Sequence, residues 1–238
     1  ITATKTAVCD GETTTLTTNN QADATTFDFT WFSGTDITAS SLQGPDGGKN
    51  SSLANAEAGT YTVLVRDIAN PTSCQKTQEI TIAENPKPTV TVSNPGTESY
   101  CFGETVTAPL FTFTGTAPFV FTYTDGVNSE VTATATTTTF SPTAPSAVGN
   151  YTYKVTALSD ANCTATASSL TSAASIEIKH RPTITTAETS GNVCAGNLLS
   201  VSCIAENATG ATYTWSGPNS YSASTANAVV ATSATTDN

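Results

Sequence analysis

One histidine, eight basic residues and no long apolar run mark this 238-residue chain, and each shortage removes a class of function. Lys and Arg number 8 against 19 Asp and Glu, for a net charge of -11. A protein that grips duplex nucleic acid needs a basic face to displace counterions from phosphate. Divided at residues 87 and 181, the chain carries -5, -3 and -3, so no nucleic-acid partner is expected. No stretch reaches the roughly eighteen apolar residues of a membrane helix, and no charged-then-apolar leader opens the chain. The expectation is mature, soluble material with no membrane insertion of this segment. Any Ser-His-Asp or Cys-His machinery would have to use His180. That residue stands in His180-Arg181-Pro182, a linker pattern, so no catalytic residue and no enzyme are expected.

Metal and phosphate sites are equally poorly supplied. The cysteines in their recurring roles lie tens of residues apart, and Cys194 and Cys203 have too wide a gap for a zinc knuckle. No D-x-[DN]-x-[DN]-G loop or dense Asp cluster is present to hold calcium. No metal and no cofactor are therefore expected, with calcium at domain junctions the alternative weighed. Glu12, Glu104, Asp67 and Asp160 recur at equivalent places, which favours a structural role over paired acids for glycoside hydrolysis. Gly44-Pro45-Asp46-Gly47 reads as a turn and not a phosphate loop, since no strand-to-helix transition follows it. Asn50, Asn150, Asn162 and Asn207 open N-glycosylation sequons, which matter only in a cell that uses them.

What the chain has in quantity is threonine, roughly a fifth of all residues. Only 11% are charged and 37% are apolar, which is not the low-hydrophobicity, high-charge signature of disorder. Threonine is β-branched, suits a pleated half-exposed surface and loses χ1 freedom in a helix. The composition points to β structure.

Internal repetition then organises the chain. Val8-Cys9-Asp10-Gly11-Glu12, Tyr100-Cys101-Phe102-Gly103-Glu104 and Val193-Cys194-Ala195-Gly196-Asn197 align, with their cysteines 92 and 93 residues apart. Each is followed by an aromatic in an alternating run, at Trp31, Tyr123 and Trp215. Ala58-Gly59-Thr60-Tyr61 matches Val148-Gly149-Asn150-Tyr151, then come Cys74 and Cys163, then Ile80-x-Ile82 and Ile176-x-Ile178. Proline-bearing linkers close the units at Asn85-Pro86-Lys87-Pro88 and His180-Arg181-Pro182. The expected domains are 1–87, 88–181 and 182–238, with a period of about 92 residues.

Each unit shows short strands of period two divided by Gly, Asn, Pro and Ser turns, and no helical period. The expected fold is all-β, a tandem array of immunoglobulin-like β-sandwiches. Trp31, Tyr123 and Trp215 are expected as equivalent core residues between the sheets, and Tyr61 and Tyr151 as tyrosine corners. The antibody pattern places its second cysteine two residues after the corner tyrosine, where this chain has Val63 and Tyr153. A disulfide is therefore expected to clip the end of a sandwich.

The combination resembles the immunoglobulin-like and PKD-like repeats of very large surface adhesins of Bacteroidota, including gliding-motility adhesins of the SprB type. That pattern runs C-x-G-E, aromatic-x-W, A-G-T-Y-T-V-x-V, Cys, I-T-I and Pro. The first repeat follows it through Cys9, Trp31, Ala58-Gly59-Thr60-Tyr61-Thr62-Val63-Leu64-Val65, Cys74 and Ile80-Thr81-Ile82. The second departs at Tyr123, at Val148-Gly149-Asn150-Tyr151 and in a Thr-rich insertion at 132–139. The resemblance implies display on the outer cell surface after export by the type IX system. An exported chain meets an oxidising compartment, so Cys9–Cys74 and Cys101–Cys163 are the expected disulfides, each closing one repeat.

The expected role is a non-catalytic segment of a long filamentous cell-surface adhesin, acting as a stalk or multivalent array toward extracellular surfaces or glycans. Two alternatives stand beside it: a subunit of a pilus-like filament in which neighbouring copies donate strands, and an accessory module of a secreted polysaccharide-degrading enzyme. Residue 238 falls where the third repeat would need its Ala-Gly-Thr-Tyr strand, so that sandwich is expected to be incomplete. Ile1 is likewise expected to lie partway through a first strand. Cys194 is then without its closing partner unless Cys203 takes that place.

Overall fold

The computed structural model describes residues 1–19, 26–44, 51–194, 196–217 and 220–231. Pro45, Asp46 and Gly47 of the expected turn, Asn50 of the first sequon, Ala195 and residues 232–238 lie outside that set.

The first sequence repeat contains β1 (Thr2–Ala3), β2 (Ala7–Cys9), β3 (Thr14–Thr17), β4 (Phe27–Ser33), β5 (Ser52–Ala56), β6 (Gly59–Asp67) and β7 (Gln75–Asn85). They form a three-stranded sheet, β1-β3-β5, and a four-stranded sheet, β2-β7-β6-β4. Alternation decides what each strand buries. Phe29 and Trp31 of β4 pair with Val65 and Val63 of β6. With Leu16, Leu53, Tyr61 and Ile82 they make the core, and Trp31 is 0% exposed. The intervening residues Thr30, Phe32, Thr62 and Leu64 are buried on the opposite face of the same sheet.

The second repeat contains β8 (Thr89–Ser93), β9 (Ser99–Cys101), β10 (Leu110–Thr114), β11 (Phe119–Thr124), β12 (Val131–Ala135), β13 (Thr139–Phe140), β14 (Gly149–Ser159) and β15 (Ala173–Lys179). Its sheets run β13-β10-β8 and β12-β11-β14-β15-β9. The core here is aromatic. Phe113 stacks on Phe119 at 5.1 Å between centroids, and Phe140 meets Phe121 edge-on at 5.0 Å. Such offset and edge contacts suit the ring quadrupole.

The third contains β16 (Thr183–Thr189), β17 (Leu198–Glu206), β18 (Trp215–Gly217), β19 (Tyr221–Ala223) and β20 (Asn227–Ala231). β16-β17-β20 form one sheet, and β18 pairs with β19. Cys203 and Ala205 of β17 are half-buried, whereas their counterparts on β10, Phe111 and Phe113, are buried.

The abundant threonines find a use across neighbouring strands. Register pairs Thr60 with Thr81, Thr89 with Thr114 and Thr122 with Thr132. Their hydroxyls lie 3.0, 2.7 and 3.0 Å apart. Directly opposed Thr pairs stabilise a sheet by tenths of a kcal/mol each, ~0.2–1.

By contacts the chain forms two compact units. One comprises Ile1–Ser93, Pro109–Pro142 and Thr152–Ala174; the other comprises Asn94–Ala108, Thr143–Tyr151 and Ser175–Asn238. The sequence periods at 1–87, 88–181 and 182–238 are a separate partition, drawn from the repeated motifs alone.

The expected equivalence of the three core aromatics needs correction. Trp31 is buried, but Tyr123 and Trp215 are half-buried. The register shifts between Thr122 and Tyr123, which sets Tyr123 opposite Val155. Val155 corresponds to Val65, the partner of Phe29, so Tyr123 sits two places along from the Trp31 position. A two-residue shift keeps the side chain on the same face, and Tyr123 still packs 5.4 Å from Phe111. Trp215 lies on the two-stranded β18-β19 ribbon and donates its indole N–H to the Thr225 carbonyl at 2.7 Å.

The corner tyrosines behave alike. Tyr61 donates its hydroxyl to the Glu57 carbonyl and Tyr151 donates to the Ala147 carbonyl, each at 3.0 Å. Burial raises the Tyr61 hydroxyl above its ordinary pKa and keeps it a donor. Tyr61→Phe is expected to destabilise by about 0.5–1.5 kcal/mol, the net worth of the hydrogen bond it removes. Urea unfolding of the variant against the native chain measures this.

Candidate functional site at the Cys9–Cys163 junction

The recurring Cys-x-Gly motif is a turn. Glu12 N–H donates to the Cys9 carbonyl at 2.7 Å, Glu104 to Cys101 at 3.0 Å, and Asn197 to Cys194 at 3.0 Å. The third residue of each is a glycine with φ of 76°, 87° and 85° at Gly11, Gly103 and Gly196. Side chains rarely adopt that region, so glycine is required there. In the first two repeats the turn follows a short strand laid parallel to the last strand of its repeat. Cys9 pairs with Asn85, the end of β7, and Cys101 pairs with Lys179, the end of β15.

The closing cysteines sit in a second recurring loop. Asp67 N–H donates to the Cys74 carbonyl and Asp160 N–H to the Cys163 carbonyl, both at 2.9 Å. The Asp67 carboxylate accepts from Ala69 and Asn70 at 2.8 and 3.0 Å. That of Asp160 accepts from Asn162 and Cys163 at 2.8 and 2.6 Å, and from Thr116 at 2.8 Å. Partial burial raises the Asp160 pKa, but the amides of Thr116, Cys163 and Asn162 outweigh it and hold the carboxyl below its ordinary value. A carboxylate with depressed folded pKa stabilises above its unfolded value, about 3.9, and that stability is lost as pH falls through the folded pKa. The melting temperature is therefore expected to drop with acidification in that window. Asp160→Asn is expected to lower it at neutral pH and flatten its acid slope, as read by melts across pH.

The expected disulfides are overturned here. Cys9 is bonded to Cys163, with a Cα–Cα distance of 5.8 Å and 154 residues between them in sequence. Cys74 is an exposed thiol and Cys101 a half-buried one. Strand direction explains why. Cys74 immediately precedes Gln75, the start of β7, whereas Cys9 lies beside Asn85, its end. An eleven-residue strand spans roughly 35 Å, and a disulfide tolerates no more than about 7 Å between Cα atoms. Opening and closing cysteines of one repeat thus occupy opposite ends of its sheet. The closing loop of the second repeat comes instead to the end where Cys9 stands.

The bond is enclosed: Cys9 and Cys163 are both buried. Cys9 Sγ lies 3.4 Å from the Asn162 carbonyl and Cys163 Sγ 3.4 Å from the Asn85 carbonyl. At the rim Lys87 pairs with Asp10 at 3.8 Å. Gly115 is held at φ 122°, and a Cβ there would come 2.5 Å from the Asp160 carboxylate and 3.2 Å from Pro88. The roles of Asn85, Gly115 and Asn162 were not legible as such, although the recurring linker and the Asp-to-Cys loop marked the two sides of the joint. The structure does not join Cys194 to Cys203. Among the described residues no group of three His, Cys, Asp or Glu side chains gathers as metal ligands, and no helix is long and apolar enough to cross a membrane. His180 is exposed in its linker.

Residues 84–185 match the family described as nucleoporin pom152-like, immunoglobulin-like domain. None of the curated proteins matches the chain. Among solved structures, the chain is similar to the FN1-FN3 domains of chicken CNTN1, at 11% identity and TM-score 0.29, covering 94% of this chain and 85% of that one. It is also similar to a domain segment of titin, at 11% identity and TM-score 0.31, covering 98% and 86%. The N-terminal eight Ig domains of Down Syndrome Cell Adhesion Molecule align at 14% identity and TM-score 0.27, over 92% of this chain and 30% of that one. Together with paired sheets that recur along the chain, the match to an immunoglobulin-like domain identifies an all-β, tandem immunoglobulin-like β-sandwich region.

Proposed function

We propose that this chain is a non-catalytic stretch of a long cell-surface adhesin, a stalk or multivalent array of the kind its repeats resemble in Bacteroidota gliding-motility proteins exported by the type IX system. The observation that carries the reading is the Cys9–Cys163 bond, which ties the first sequence repeat to the second. A covalent tie from one repeat to the next serves transmission of force along a filament, and a catalytic module has no such need. Contacts to glycans or hydrated surfaces are then individually weak and act through number.

Microspheres carrying the chain at graded density, settled on polysaccharide-coated glass, test it. Detachment force is expected to rise steeply with density. Detachment equal to that of bare spheres at every density would reject the adhesive role. A second reading, a filament subunit completed by strand donation, draws on the third repeat: its β18-β19 ribbon is two-stranded and Leu199 and Val201 are only half-buried. Concentration-dependent filaments in electron micrographs would favour it.

A further inference from the structure

We infer that the Cys9–Cys163 bond is one instance of a rule: the opening cysteine of each repeat bonds the closing cysteine of the next, and Cys74 and Cys101 are the two complementary halves of the same joint. Cys101 repeats Cys9 in detail. It ends a short strand parallel to the last strand of its repeat, opposite Lys179 where Cys9 has Asn85. It starts the same glycine turn, and the strand it lies beside runs into a linker ending in Pro182 where the first linker ends in Pro88. Cys74 repeats Cys163 through the shared Asp N–H to Cys carbonyl bond.

The next repeat also brings the same element to each joint. Register pairs Thr89 with Thr114 and Thr183 with Glu206, which makes Gly115 and Asn207 counterparts. Both have positive φ, 122° and 54°. Gly115 packs against Asp160 of the Cys163 loop. Asn207, with Cys101, His180 and Pro182, lines a cleft of about 590 Å³. A Cys163-type closing loop fits that cleft by delivering a thiol to Cys101, with its carboxylate set back from the place Asp160 holds, because Asn207 carries a Cβ where Gly115 leaves room. A cleft of about 520 Å³ likewise opens beside Cys74, lined by Ile1, Thr18 and Asn19. There the fitting partner is a unit that presents a Cys-x-Gly turn.

In forming each bond two Sγ–H bonds break and one S–S bond forms. The two electrons and two protons pass to a small disulfide oxidant of the glutathione class, which leaves as two thiols. The inference rests on the repeat organisation and not on adhesion, and its test reads bonds only.

Two tandem variants of the full chain test it. In the first, residues 1–87 are duplicated ahead of the native start; in the second, residues 88–181 are duplicated after position 181. Each added copy carries one exposed Thr→Ser in each cysteine-bearing peptide, which tells the copies apart by mass, and each variant is folded with oxidised and reduced glutathione and mapped by non-reducing peptide mass spectrometry. The first is expected to bond Cys9 of the added copy to Cys74 of the following copy. The second is expected to bond Cys101 of the first copy to Cys163 of the second. Cys9–Cys163 at the native junction is expected in both. Bonds within one repeat, Cys9 to Cys74 or Cys101 to Cys163, would overturn the rule. So would free thiols at the new junctions or loss of the native bond.

Discussion

Cys9→Ser with Cys163→Ser is expected to lower stability by about 5 kcal/mol, because the native bond closes a loop of 154 residues that the unfolded chain otherwise leaves open. Replacing both cysteines avoids an unpaired thiol at a buried site. The loss is read as a fall in the urea midpoint, with reduction of the native chain giving the same fall. Force spectroscopy gives a second reading on the same bond. With the bond intact, the residues between Cys9 and Cys163 are shielded from tension applied at the ends. Reduction is expected to release roughly 500 Å of additional contour, from 154 residues at about 3.3–3.6 Å each. Traces of equal length before and after reduction would mean that the bond does not lie across the force path.

Trp31→Ala is expected to cost about 3–5 kcal/mol, the range for emptying a large aromatic site in a packed core. The side chain is 0% exposed and lies opposite Val63 within the cluster formed with Phe29, Leu16 and Ile82. Trp215→Ala is expected to cost far less, since Trp215 is half-buried on a two-stranded ribbon. Tyr123→Ala is expected to fall between them, because Tyr123 packs among Phe111, Phe121 and Phe140 while remaining partly exposed. Denaturation followed by far-ultraviolet circular dichroism ranks the three without relying on the fluorophore removed. An equal cost at all three sites would contradict the register shift at Thr122.

The sequence by itself determined the features that depend on a few consecutive residues. Alternation in Phe27-x-Phe29-x-Trp31 established which face of β4 joins the aromatic core around Trp31, because successive side chains of a strand point to opposite faces. The Tyr61 and Tyr151 corners were legible for the same reason: each hydroxyl's hydrogen bond closes within four residues. The tertiary structure alone decided what depends on strand direction and register. Cys9 and Cys74 bracket one repeat in sequence, yet a full strand separates them in space, because β2 runs parallel to β7 and meets its far end. Tyr123 keeps the spacing of Trp31 in sequence, yet the β11–β14 register, with its skip of Thr156, makes its partner Val155 and not Tyr153, the counterpart of Val63. Neither fact has a local signature, since a disulfide or a cross-strand pair is formed by the ends that the sheet brings together and not by the residues that lie nearest along the chain.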